Sequence, residues 1–198
     1  PEQMFSLAKR NNVQIPFKNI NEAKKAYNFS NLESFLKIYY EGAKVLLKEK
    51  DFFELTWAYA LKCKEDNIVH TEIFFDPQTH TNRGISFDII INGIYKALKK
   101  AEKEFGLSFK IIMCFLRHLS EDECFKILDQ AIIHKDKIFG VGLDSSEMGN
   151  PPKKFEKLFK KAAENNFITV AHAGEEGPPE YMWEALNLLN VKRIDHGV

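Results

Sequence analysis

Three side chains in the last part of the chain combine the chemistry of metal binding with that of proton transfer. His172 follows the apolar run 167–171, and Glu175 comes three residues after it. His196 ends the next short run, 193–196. A neutral imidazole is a common metal ligand, and a carboxyl group in a partly dry site has a raised pKa and can donate a proton. With both histidines at the ends of neighbouring strands, this pattern predicts a metal-dependent hydrolytic site.

Each of these residues also has an ordinary structural explanation. His172 can be a core histidine that hydrogen-bonds to the backbone, and His196 can pair with the adjacent Asp195. Glu175 can be a solvated loop residue, an explanation that fits Glu176 better. The residues alone leave these alternatives open.

Polar residues also end the other predicted strands. Asp144 and Glu147 follow one strand, and either side chain could bind a ligand or cap the helix that begins at the proline pair 151–152. The remaining polar residues at strand ends are Asp76, His80, Arg117 and His118. In parallel α/β barrels, chemistry is done at the C-terminal ends of the strands. The pattern therefore predicts a catalytic rim, with Glu147 as a candidate substrate-binding residue.

The spacing of apolar residues predicts the elements that position these side chains. Up to residue 66 the apolar positions repeat every three or four residues, which is typical of helices. From residue 67 on, short apolar runs alternate with amphipathic stretches, as in βα units on a parallel sheet. The predicted strands are 68–75, 109–115, 138–143, 167–172 and 193–196, and the predicted helices between them are 87–105, 120–134, 151–165 and 179–189.

Five βα steps at this spacing predict a TIM (β/α)8 barrel, a fold that typically takes ~250 residues. An open doubly wound sheet is the alternative. No glycine-rich phosphate loop of the G-x-G-x-x-G kind follows any predicted strand, so nothing favours the nucleotide site that often accompanies an open sheet. We expect one domain over residues 1–198, with a helical segment 1–66 and a βα segment 67–198.

The composition argues against several classes of function. The chain has 28 basic and 28 acidic residues, and the basic ones form no tract that would bind nucleic acid. No apolar run approaches the roughly 18 residues of a membrane span. The three cysteines have no C-x-x-C spacing, so neither a disulfide framework nor a cysteine zinc site is indicated, and a cytoplasmic location is expected. A small molecule is the expected binding partner.

The segments 170–175 and 193–197 resemble the paired H-A-G-E and H-G motifs of the adenosine and adenine deaminase superfamily. The resemblance implies that His172 is a zinc ligand. It also implies that Glu175 protonates the purine and that His196 acts on the attacking water. Zn²⁺ is the implied cofactor, and a purine is the implied substrate.

Asp195 and three further stretches look more like the adenine branch of this superfamily than like its nucleoside branch. The stretches are 74–80, 142–147 and 176–181. The implied reaction is the hydrolytic deamination of adenine to hypoxanthine and ammonia, a step of purine salvage. Adenosine deamination is the nearest alternative, followed by another metal-dependent hydrolase on the same barrel and by a descendant without catalytic activity.

The resemblance places part of the family's metal site outside these residues. A first strand with a His-x-His pair of zinc ligands is expected before Pro1, and an Asp-Asp pair that completes the site is expected after Val198. An incomplete barrel without its first and last strands has open sheet edges, which makes it poorly stable. We therefore expect residues 1–198 alone to bind zinc weakly and to be inactive.

Overall fold

A computed structural model describes residues 1–198, which divide into two compact units. The first unit comprises Pro1–His70 and Thr79–Ser108, and the second comprises Thr71–Gln78 and Phe109–Val198. Helices dominate the first unit, whereas the second contains the sheet. The prediction of a single domain over residues 1–198 stays a prediction.

Polar side chains begin several helices of the first unit. The helices up to residue 105 are α1 (Glu2–Asn11), α2 (Ile20–Ala26), α3 (Leu32–Ala43), α4 (Glu49–Glu65), the short α5 (Gln78–Thr81) and α6 (Phe87–Phe105). Asn31 accepts a hydrogen bond from the backbone N–H of Ser34 at the start of α3. Ser86 accepts one from the N–H of Ile89 at the start of α6. These caps satisfy backbone donors that the first turn of a helix leaves without partners.

Helix α6 turns an apolar stripe towards the interior of the first unit. Its buried residues are Phe87, Ile90, Ile91, Gly93, Ile94, Ala97, Leu98 and Ala101. Ala101 shares a core cluster with Leu107 and with two residues of α4, Ala60 and Cys63. Since full burial of a large aliphatic or aromatic side chain is worth about 1.5–3 kcal/mol, this stripe stabilises the packing of α6 in the unit.

A buried carboxylate, Asp51, ties three segments of the first unit together. Its side chain is 0% exposed. One oxygen accepts a hydrogen bond from the Arg10 guanidinium. The other accepts from the Asn11 side chain at 2.7 Å and from the N–H groups of Leu47 and Lys48 at 2.9 Å each. Burial alone would raise the pKa of Asp51, but these donors outweigh it and lower the pKa below its ordinary value.

His80 and Arg83 form a second polar contact inside the first unit. An Arg83 nitrogen lies 2.8 Å from His80 Nδ1 and also donates to the carbonyl of Ala43, the last residue of α3. Because a guanidinium only donates, His80 Nδ1 is the unprotonated ring nitrogen. The His80 ring packs edge-on against Phe52, and burial lowers the pKa of His80 to about 3, with the charge of Arg83 adding to the effect. His80 is therefore a neutral side chain.

The second unit is built on a parallel sheet whose strands follow one another in sequence order. The strands are β1 (His70–Phe75), β2 (Ser108–Leu116), β3 (Gly140–Asp144), β4 (Ile168–Ala173) and β5 (Arg193–His196), in the spatial order β1-β2-β3-β4-β5. Cys114 is opposite Gly142, and His172 is opposite Asp195. The chain order does not reverse within the sheet, which is the arrangement of a barrel and not of a doubly wound sheet. The predicted fold class is confirmed.

The helices between these strands are α7 (Glu121–Ile133), α8 (Glu156–Glu164) and α9 (Pro179–Asn187). All five predicted strands are present, and each of their ends lies within two residues of the predicted position. The predicted helix 151–165 is instead two elements, a 3-10 turn at Pro152–Phe155 and then α8. Phe155 has φ −118 and ψ 18, outside the α-helical region, and this separates the two.

No helix of the chain combines the length and apolarity that a membrane crossing requires. The three cysteines Cys63, Cys114 and Cys124 are free thiols, and all of them are buried. The structure therefore contains no disulfide, and each thiol contributes to the packing as a small apolar side chain.

Candidate active site

The three residues singled out by their chemistry lie together at the C-terminal ends of β4 and β5. His172 is the residue before the last in strand β4, and the neighbouring Ala173 is opposite His196 at the end of β5. The two imidazole rings have centroids 5.1 Å apart. Glu175 Oε2 lies 3.6 Å from His196 Nε2. The parallel register thus places two histidines and a carboxyl group in one small cluster.

His172 is held in place by its backbone and by an aromatic neighbour. Its carbonyl oxygen accepts a hydrogen bond of 2.8 Å from Arg117, and its ring centroid lies 5.2 Å from that of Phe74. Burial lowers the pKa of the His172 imidazole, although the charge of Asp195 acts in the opposite direction. A neutral imidazole is the form that binds metal ions.

The surroundings of Glu175 favour the protonated form of its carboxyl group. Its side chain is 29% exposed, and burial raises its pKa above the ordinary value, while His196 acts in the opposite direction. The negative charge of Glu147 adds to the increase. A carboxyl group that keeps its proton closer to neutral pH is suited to general acid catalysis.

Glu147, the candidate substrate-binding residue, lies beneath the loop that carries Glu175. It is 1% exposed. Its Oε1 accepts from the N–H of Gly174 at 2.8 Å, and its Oε2 accepts from Glu175 at 2.9 Å and from Glu176 and Gly177 at 2.8 Å each. Burial alone would raise the pKa of Glu147, but the backbone donors outweigh it and lower the pKa. Its contact with substrate stays a prediction.

Two aspartates lie at the same edge of the sheet with buried oxygens that have no partner. They are Asp144 Oδ1, at the end of β3, and Asp195 Oδ2, in β5. Burial and the nearby charge of Asp76 raise the pKa of Asp144 well above its ordinary value. The 3-10 turn after Pro151 receives no hydrogen bond from a capping side chain, so neither Asp144 nor Glu147 caps it as the alternative interpretation supposed.

Arg117 is a residue of the site to which the sequence pattern assigned no role. Its side chain is 0% exposed, and its Nε donates to the carbonyl of Asn150 at 2.9 Å. One terminal nitrogen donates to the His172 carbonyl at 2.8 Å and lies 3.9 Å from Glu147 Oε1. The sequence does contain one signal for this role, a cation directly after the apolar strand β2. An arginine buried at that position needs carbonyl or carboxylate partners, which the site supplies.

His172 fits the predicted zinc as one ligand of a larger set. Its Nδ1 is shielded from solvent and has no hydrogen-bond partner. The same is true of Asp195 Oδ2 on the adjacent strand. Buried polar atoms without partners are uncommon, and both of these atoms are of types that bind zinc. No group of three His, Cys, Asp or Glu side chains within residues 1–198 is placed to hold a metal ion. The chain by itself therefore offers only part of a zinc site.

Comparison with known proteins places the chain in a family. The adenosine deaminase family model matches residues 1–198. An adenine deaminase from Acinetobacter baylyi is 62% identical over 198 residues, covering 100% of this chain and 60% of the relative. One from Wolinella succinogenes is 60% identical over the same coverage. The chain thus spans about three-fifths of the length of these curated relatives.

Solved structures agree with the sequence relatives. The crystal structure of an adenine deaminase from Arthrobacter aurescens has a TM-score of 0.97 and 46% identity, covering 100% of this chain and 61% of that one. An amidohydrolase from Burkholderia ambifaria, crystallised with bound Zn, has a TM-score of 0.88 and 27% identity, covering 99% of this chain and 54% of that one. The sheet and its helices match part of a TIM barrel of the amidohydrolase type, and the chain belongs to the adenosine deaminase family.

Proposed function

We propose that the protein containing this chain deaminates adenine by hydrolysis, releasing hypoxanthine and ammonia. The observation that carries the proposal is the meeting of His172, Glu175 and His196 at the ends of β4 and β5. The relatives of about 60% identity, which are named adenine deaminases, support adenine as the substrate. Adenine conversion to hypoxanthine is a step of purine salvage, and a cytoplasmic location fits the three free thiols.

Glu175 and His196 divide the proton transfers of this reaction. Addition of water at C6 of the purine interrupts the aromatic ring and places negative charge on N1. Glu175 donates a proton to N1 as the charge develops, a role that is favoured because burial raises its pKa. His196 lies next to Glu175, where it orients the attacking water, stabilises the charge on its oxygen and accepts the proton that the water loses. That proton passes to the C6 amino group, which leaves as ammonia, and the C6 hydroxyl returns a proton to Glu175 as the carbonyl forms.

Zinc is the proposed cofactor, and His172 would hold it. The unpaired Nδ1 of His172 and the unpaired Oδ2 of Asp195 support a cation at this edge of the sheet. Bound zinc would supply a water whose pKa is lowered to about 7. The other ligands of a complete site would come from chain outside residues 1–198. The zinc in the Burkholderia relative supports the choice of metal.

The test compares two substrates on the full-length protein. Ammonia release is followed with adenine and with adenosine, and zinc content is determined on the same sample. We expect turnover of adenine, about one zinc per chain as in other mononuclear zinc hydrolases, and loss of turnover after chelation. Turnover of adenosine in place of adenine would retain the site chemistry and overturn the substrate. No ammonia from either purine would overturn the reaction itself.

A further inference from the structure

The loop after β4 wraps around a carboxylate from the segment that follows β3. Four consecutive backbone N–H groups, from Gly174 to Gly177, point at the two oxygens of Glu147. Each oxygen already accepts at least one hydrogen bond inside the protein, and the residue is 1% exposed. Glu147 is thus enclosed by the loop and not open to the space where Glu175 faces His196.

We propose that Glu147 is a positioning residue, whose charge holds the loop 174–177 in one conformation and thereby fixes Glu175 beside His196. Hydrogen bonds to a charged acceptor are stronger than those between neutral groups. Four such hydrogen bonds act on four consecutive residues, so they restrict the backbone conformation of the whole loop. A general acid must be held within a fraction of an ångström of its target, which makes the rigidity of this loop part of the catalytic apparatus.

The glycines at the first and last positions of the loop support this role. Gly174 has φ +73, a backbone conformation that residues with a side chain rarely adopt, and a Cβ there would meet Met182 Sδ at 2.9 Å. A Cβ on Gly177 would come within 2.7 Å of Glu147 Cδ. The loop therefore needs glycine at one end for its turn and at the other for its close approach to the carboxylate.

Arg117 connects the same carboxylate to the zinc-binding histidine. It lies 3.9 Å from Glu147 Oε1 and donates to the backbone carbonyl of His172 at 2.8 Å. The side chains of Arg117 and Glu147 are 0% and 1% exposed. A buried pair of opposite charges therefore supports His172 on one side and Glu175 on the other, so that both residues are set by the same ion pair.

The proposal rests on adenine deamination as the function and differs from the substrate-contact role that the sequence pattern suggests for Glu147. The two roles predict different kinetics. Loss of a substrate contact raises KM, whereas a misplaced general acid lowers kcat and leaves KM nearly unchanged. The ratio of the two effects therefore distinguishes positioning from binding.

The experiment uses Glu147→Gln in the full-length zinc-loaded protein, with Glu180→Gln as the matched control. Gln is nearly isosteric with Glu, but it removes the charge and turns an NH₂ group towards backbone donors. Glu180 is an exposed carboxylate in α9, the helix that follows the same loop. We expect kcat of Glu147→Gln to fall about 10- to 100-fold, as is typical for groups that orient catalytic ligands, with KM and zinc content unchanged. The control keeps the parent kcat.

A second variant and a second measurement cover the case in which Glu147→Gln does not fold. Gly177→Ala disturbs the contact from the loop side while Glu147 stays intact, and it should lower kcat in the same way. Amide hydrogen exchange of residues 174–177 should accelerate about tenfold or more in both variants, because Glu147→Gln removes the charged acceptor of these amides and Gly177→Ala pushes the loop away from it. This measurement does not depend on the reaction.

Each result decides between the roles. A raised KM with the parent kcat would identify Glu147 as a substrate contact and overturn the positioning role. A parent kcat together with unchanged amide exchange would also overturn it. If the parent protein released no ammonia from adenine, the proposed function would fall, whereas faster exchange of residues 174–177 in the variants would still support the hold of Glu147 on the loop.

Discussion

The two units bury polar atoms differently, as a comparison of Asp51 in the first unit with the strand-end residues of the second unit shows. Around Asp51, both carboxylate oxygens have donors, and only Asn11 Oδ1 lacks a partner. At the strand ends, His172 Nδ1, Asp144 Oδ1 and Asp195 Oδ2 are all buried without a partner. Donors lower the pKa of Asp51, whereas burial raises that of Asp144. A polar group with a full set of partners serves stability, and one left without them indicates a place for a ligand.

The largest effect that this comparison predicts belongs to Glu175. Glu175→Gln in the full-length protein removes the proton that the site donates, while the side chain keeps its shape. We expect kcat for adenine to fall by about 10²- to 10⁴-fold, the usual contribution of general acid catalysis, with a small change in KM. Steady-state kinetics of ammonia release measures it, with Glu180→Gln as the control for loss of an exposed carboxylate. An unchanged kcat would remove Glu175 from the reaction.

Asp51→Ala should act on stability and not on the chemical step. The substitution leaves Asn11 and two backbone N–H groups without their acceptor, and Arg10 loses its partner. We expect the free energy of unfolding to drop by about 3 kcal/mol. Denaturant titration of the full-length protein measures the loss, and kcat per folded molecule should stay at the parent value. A drop in kcat without a drop in stability would contradict the distinction between the two regions.

His80 should make the stability of the protein depend on pH. Its pKa is about 3 in the folded protein and 6.5 in the unfolded chain. As pH falls below the unfolded value, only the unfolded chain takes up the proton, so stability decreases towards low pH. Between pH ~7.5 and pH ~5.5 the loss from His80 amounts to about 1 kcal/mol.

His80→Gln should remove this part of the pH dependence, since an amide can still accept the hydrogen bond from Arg83 without titrating in this range. Denaturant titrations of parent and variant at the two pH values give the difference. Equal pH dependence in both proteins would show that His80 is accessible to protons in the folded state.

The smallest effect is expected for a surface ion pair. Lys161 Nζ lies 2.7 Å from Asp129, and the two side chains are 40% and 60% exposed. Because water screens such a pair, Asp129→Asn should change the free energy of unfolding by less than about 0.5 kcal/mol. A larger loss of unfolding free energy in the same denaturant titration would mean that burial does not explain why Asp51 contributes more to stability than Asp129.

The sequence predicts the strands and the three central site residues for a physical reason. Apolar runs specify buried strands, and parallel strands end at one edge, so His172 and His196 had to meet once β4 and β5 were neighbours. The role of Glu147 depends on a contact with a loop 27 to 30 residues further along the chain. No periodicity links such positions, because the contact follows from how the β3 and β4 segments align. The contact between Arg117 and the His172 carbonyl joins residues 55 positions apart, and it could not be predicted for the same reason.

The enclosure of Glu147 by the loop 174–177 bears on how this site can be transplanted or redesigned. The backbone of this loop is organised around an anion, so its shape depends also on a residue outside the loop, Glu147, in the segment that follows β3. Grafting residues 172–177 onto another barrel would therefore give a loop without its template. The loop, Glu147 and Arg117 contact one another directly, so the effects of substitutions at these positions are expected to be non-additive.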